Sequence, residues 1–149
     1  MPNDPLAVAR PVVSAPAALA AVSAAMAKAQ ALGVKINVAV VDSGGNLAAF
    51  LRSPGAFLPS IAIAQNKAYT AAGFGFATGE WPRISESLSP AARQGIAATP
   101  RFVGFAGGLP IHHDGQVIGG VGVSGASEDQ DEQCARAALA AIGCDGKGR

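Results

Sequence analysis

Hydrophobic positions change period along this chain, and each change marks a predicted element. Leu19, Val22, Met26 and Ala29 recur every three or four residues, which is the spacing of one helix face. Ser14 precedes them as an N-cap, Pro16 suits a first turn, and Gly33 follows as a C-terminal stop. A helix is therefore predicted from Ser14 to about Leu32. Ahead of it, Pro2, Pro5 and Pro11 forbid a regular helix, so residues 1–13 are expected to form an extended arm. From Lys35 to Asp42 the period is lost in a β-branched run, read as a buried strand. Ser43-Gly44-Gly45-Asn46 is a turn, and Leu47 to Arg52 is the return strand of a hairpin.

Helical spacing resumes from Pro59 to Ala72. There Ile63, Asn66, Lys67 and Thr70 fall at i, i+3, i+4 and i+7, a face that mixes apolar and polar groups. Residues 76–100 are the least regular, with a short helix predicted over Trp81–Leu88. Arg101–Ala106 reads as a strand, bulged at Gly107-Gly108 and continued over Leu109–His112. Asp114-Gly115 is a strong hairpin signal, and Gln116–Ser124 returns. Gly119, Gly120 and Gly122 weaken that strand unless another backbone or a flat ligand lies against it. Ser127 with Gln130 has capping-box spacing, and Glu128, Asp129, Asp131 and Glu132 suit the positive end of a helix running to about Ile142. The tail from residue 143 is expected to fray. Consecutive hairpins imply an α+β fold, an antiparallel sheet of about five strands flanked by helices. At 149 residues, one domain is expected.

Composition narrows the partners. Half the residues are hydrophobic and 14% are charged, which excludes a disordered chain. The net charge is +1 and no basic block occurs, so nucleic acid is not an expected partner. No stretch reaches the apolarity of a strong membrane span, and no membrane partner is expected. Sparse charge and abundant small residues point to surface buried in a homo-oligomer. Cys134 and Cys144 form no CxxC pair, which fits a cytoplasmic protein without a zinc site or disulfide framework.

The motifs exclude more than they establish. Gly120, Gly122 and Gly125 have G-x-G-x-x-G spacing, but the helix that follows opens with acids that would repel a pyrophosphate. His112 and His113 on one strand point to opposite faces, so at most one lines a given site. No Ser-His-Asp or Cys-His set is present. Arg52, Lys67, Thr70 and Thr78 remain as a set able to hold a ligand. Lys67 either serves a carboxylate ligand or a proton transfer, or pairs with Asp42 or Glu132 and holds helix to sheet.

VAVVDSGGNLAAFLR, IAIAQNKAYTA and FAGGLPIHHDGQVIGGVGVSGASEDQDEQCARAAL together resemble the GlcG/HbpS family of small haem-binding-type domains, over about residues 16–142. The resemblance implies a PAS/profilin-like antiparallel sheet, homo-oligomers, and haem as a cofactor in some members. It also implies that Thr78 lies near the iron, although most axial ligands are His, Cys, Met or Tyr. It assigns the Ala-rich first helix to the domain rather than to a signal peptide.

Three functions follow as expectations. The first is a protein that binds haem or another flat or acidic ligand through Arg52, Lys67, Thr70, Thr78, Gly107, Gly108 and Gly122. The second is an enzyme of small organic-acid or aromatic catabolism, in which Arg52 clamps a carboxylate while Lys67 or Glu132 moves a proton. The third is an accessory oligomeric subunit.

Overall fold

The computed structural model describes residues 3–144. Four strands, β1 (Asn37–Asp42), β2 (Leu47–Arg52), β3 (Gly108–His113) and β4 (Gln116–Ser124), form one antiparallel sheet in the order β2-β1-β4-β3. Helices α1 (Ala15–Leu32) and α5 (Glu128–Ala141) pack together on one face, and α2 (Pro59–Phe74) covers the other. Short helices α3 (Trp81–Ser85) and α4 (Pro90–Ala97) lie in the connection from α2 to β3, and α4 buries no residue. The fold is α+β, as expected.

Local chemistry explains the element ends. The Ser14 hydroxyl accepts from the Ala17 amide, and Gly33 closes α1 in the left-handed conformation. At α5 the Ser127 hydroxyl accepts from the Gln130 amide, while the Gln130 side chain accepts from the Ser127 amide. The arm is tied down where the Val13 amide donates to the Ile118 carbonyl and the Ser43 hydroxyl donates to the Pro11 carbonyl. The frayed tail predicted from residue 143 falls mostly outside the described residues.

The larger core lies between the sheet and the α1–α5 pair. Val38, Val40, Leu109, Ile111, Val121 and Val123 alternate along their strands to face Ala18, Ala21, Val22, Ala25 and Ala29 of α1. Helix α1 has the length and apolarity of a membrane span by composition, and this packing accounts for its buried apolar stripe. On the opposite face the contact is thinner: Ala39 and Val41 meet Ala68 and Ala72 of α2.

The glycines of β4 belong to that thin layer. A Cβ at Gly122 would collide with the Ala64 carbonyl, and one at Gly120 with the Ala68 carbonyl. The backbone expected to approach this strand is therefore helix α2 of the same chain, which leaves no room there for a flat ligand or a neighbouring subunit.

One expected strand is absent. Arg101–Ala106 crosses the end of α2 without joining the sheet, which makes four strands instead of about five. The Phe102 amide closes a turn on the Thr99 carbonyl, and several of the segment's other backbone groups bond to side chains. The Val103 amide donates to Thr70, the Ala106 amide donates to Glu128, and the Phe105 carbonyl accepts from Thr78. Arg101, at φ 71°, is also in the left-handed region that breaks a strand.

Candidate functional site

At the centre of the molecule Lys67 is fully buried. Helix α2 aims it past the glycines of β4. Its Nζ donates to the Val123 carbonyl at 2.8 Å and to Asp131 Oδ2 of α5 at 3.2 Å. It also lies 4.8 Å from the centroid of the Phe105 ring, within cation–π range. Asp131 Oδ1 accepts from the Ala126 amide at 3.0 Å. Burial pushes Lys67 below the ordinary lysine range, against the pull of Asp131, and pushes Asp131 above the carboxylate range, against the pull of Lys67. Asp131 thus replaces both expected partners. Asp42 caps its own turn by accepting from the Gly44 and Asn46 amides, and Glu132 pairs with Arg136 at 2.9 Å.

Other expected ligand groups serve the interior. Thr78 is fully buried. Its hydroxyl donates to the Phe105 carbonyl at 2.6 Å and accepts from the Gly108 amide at 2.9 Å. As folded, that oxygen is not presented to an iron outside the protein. Gly107, Gly108 and Gly122 are each required by packing within the chain. A Cβ at Gly107 would sit 2.6 Å from Lys67 Nζ, and one at Gly108 would sit 2.7 Å from Thr78 Cγ2. Arg52 stands apart from Lys67. It lies on the edge strand β2, donates to the Ala56 carbonyl at 2.8 Å, and borders a separate cleft with Met26, Gln30 and Lys35. Glu132 faces a third cleft, between Gly79, Glu80 and Glu128.

Thr70 borders a different apolar cleft, beside the aromatic residues that follow α2. Its hydroxyl donates to the Arg101 carbonyl at 3.2 Å and accepts from the Val103 amide at 3.1 Å, pinning the irregular segment across the end of α2. The cleft, of about 240 Å³, is lined by Tyr69, Thr70, Gly73, Phe74, Pro100 and Phe102, among others. Behind it Phe74, Phe76, Trp81 and Phe102 form a continuous aromatic cluster, with neighbouring ring centroids 4.8 to 6.5 Å apart. Phe74 remains 50% exposed, so the cluster opens to solvent on this side. His112 pairs in register with Val117, and paired residues share a sheet face. Val117 in turn lies 3.8 Å from where a Cβ on Gly75 would be, next to Phe74. His113 is exposed beside Asp114, as a turn residue would be.

This fold and this chain both have known relatives. The sequence profile described as "Haem degrading protein HbpS-like" matches residues 13–140. The chain belongs to the HbpS-like family. An uncharacterised 15.0 kDa protein from the dhaT–dhaS intergenic region of Citrobacter freundii is 42% identical over 116 residues, 76% of this chain and 80% of its own length. The corrinoid adenosyltransferase PduO of Salmonella typhimurium is 39% identical over 122 residues, 80% of this chain. This chain spans only 35% of PduO. A crystal structure of a PduOC–haem complex superposes with TM-score 0.80 at 35% identity, covering 88% of this chain and 95% of that one. The crystal structure of HbpS gives TM-score 0.84 at 34% identity, covering 92% and 94%.

The buried pair is legible in part from the sequence. Asp131, Cys134, Ala135 and Ala138 fall at i, i+3, i+4 and i+7, which puts one acid on the apolar face of α5. A buried acid demands a buried cation, and Lys67 on its mixed helix face supplies it. The aromatic cleft left a weaker signal, because its rings come from α2, α3 and an irregular segment.

Proposed function

We propose that this chain binds a small molecule, and that the molecule is haem or a flat compound like it, held at the aromatic cleft beside the C-terminal end of α2. The observation that carries this reading is the half-exposed Phe74, backed by Phe76, Trp81 and Phe102, on the rim of an apolar cleft. Exposed aromatic surface of this kind favours planar apolar ligands. The solved haem complex of a relative 35% identical supports it.

The residues present fit haem with one change of role. The cluster offers a ring face, and His112 shares the sheet face of Val117 beside Gly75, while Thr78 is committed to the interior. His112 would be the residue to hold the iron, since imidazole is a common ligand of haem iron and a neutral hydroxyl a weak one. Bound haem would supply a redox-active iron and a visible chromophore.

Haemin titration at micromolar protein should give a saturable Soret shift, and its absence would overturn the reading. His112→Ala should move or weaken that band. Thr78→Val should leave its position unchanged while lowering stability. A Soret band indifferent to His112→Ala but altered by Thr78→Val would return the iron to Thr78.

A second reading, proton transfer on a small organic acid, is favoured by the lowered Lys67 beside Asp131, with Asp131 in place of Glu132. It requires Phe105 to swing aside. Lys67→Ala with undiminished turnover of such an acid would rule it out.

A further inference from the structure

Arg101 is an unpaired cation held beside the aromatic cleft. Its guanidinium lies 3.8 Å from the centroid of the Tyr69 ring, and Tyr69 lines the cleft. Its Nε donates to Asn66 Oδ1 at 3.0 Å, so two contacts fix the plane of the group. Among the described residues no carboxylate pairs with it, and its terminal amino groups have no partner. Tyr69 is itself placed by the β1–β2 turn, because Gly45, at φ 85°, leaves room for the Cδ1–Cε1 edge of the ring. Helix α2 therefore contributes Asn66, Tyr69 and Thr70 to one purpose: they position Arg101 from its side chain and from its backbone carbonyl.

The backbone at Arg101 is set by a turn: the Phe102 amide donates to the Thr99 carbonyl at 3.1 Å, Pro100 takes the second position, and Arg101 takes the third at φ 71°.

We propose that Arg101 is the specificity-determining residue of the cleft, which takes a planar aromatic or tetrapyrrole ligand bearing a carboxylate. The flat apolar part lies against Phe74 and Phe102, and the carboxylate accepts hydrogen bonds from the terminal amino groups of Arg101. An arginine whose plane is already fixed loses little freedom on forming a two-point bond to a carboxylate. This inference rests on the aromatic-cleft reading above but does not require that the ligand be haem.

The test compares acid and neutral forms of one ligand. Haemin and its dimethyl ester are titrated by Soret absorbance, and 1-pyrenecarboxylate and 1-pyrenemethanol by fluorescence. Wild type is expected to bind each acid about tenfold or more tightly than its neutral form, the range of a charge-assisted hydrogen bond. Arg101→Gln should bind acid and neutral forms alike. Arg101→Gly, which suits the left-handed backbone, should do the same, so that loss from misfolding is separated from loss of charge. Equal binding of both forms by wild type, or a preference that survives in Arg101→Gly, would overturn the role of Arg101 and leave the cleft reading intact. Failure of haemin together with a preserved preference for pyrenecarboxylate would overturn haem and support Arg101. Failure of all four ligands would overturn both.

Discussion

Lys67 and Asp131 are each costly to bury and become tolerable only together. Taking one charge away leaves the other stranded, at about 3–5 kcal/mol, whereas replacing both by apolar groups of similar volume is often neutral. Lys67→Met should therefore lower unfolding free energy by about that amount in urea denaturation. Lys67→Met with Asp131→Leu should recover most of the loss, and a double variant as unstable as the single would refute the coupling. Cys134 gives a pH dependence. Burial pushes its thiol up to about 11, with the nearby Asp131 adding to the rise. The unfolded thiol loses its proton near pH 9, so the unfolded chain is favoured as pH climbs from there to about 11. The contribution of Cys134 should be flat below that window and fall through it, and Cys134→Ala should remove this part of the slope. The mixed face of α2 singles out Lys67 in the sequence, but its partner is Asp131 and not Asp42 or Glu132; the sequence hides this because Asp131 lies in an acidic run that equally suits the helix dipole. Its i+3, i+4 and i+7 neighbours, all small and apolar, would have singled it out.

Elements tell a similar story of pattern and exception. The caps at Ser14, Gly33 and Ser127, the turn at Asp114-Gly115 and the β-branched run of β1 all fall where local chemistry dictates. Arg101–Ala106 does not, because a strand needs a neighbour and this stretch has its hydrogen bonds answered by Thr70, Thr78 and Glu128. No periodicity within the segment can register partners some 30 residues away, as Thr70 and Thr78 are. The glycines of β4 were legible as a close approach, though not as an approach by α2. Gly122→Ala tests that contact. The added methyl meets the backbone of α2, which cannot rotate away, so a loss of at least about 1–3 kcal/mol is expected from thermal or urea unfolding. Gly115→Ala, where nothing lies near the added methyl, should show only the cost of a positive φ.

For the whole molecule, three layers leave the aromatic cleft on one side of α2 and the Arg52 cleft at the edge of β2. A ligand that binds only the folded chain must raise its melting temperature. Haemin at a hundred times its dissociation constant should add about 2.7 kcal/mol of stability, visible as an upward shift in a melting curve. Homo-oligomer formation, proposed from the sparse charge, is supported by Leu47, Leu51, Phe57 and Leu58, which remain exposed around β2 and the start of α2. Native mass spectrometry should show a multiple of the chain mass, and a monomer across micromolar concentrations would refute it.

Helix α4 buries nothing, yet the segments on either side of it are held by the hydroxyls of Thr78 and Thr70. The backbone there is a detour whose two ends are already fastened. A nick within α4 should leave two fragments that stay associated and keep their circular dichroism. The same place offers new chain termini: joining the present ends through a linker and opening the chain at α4 would give a permuted protein in which every layer keeps its neighbours.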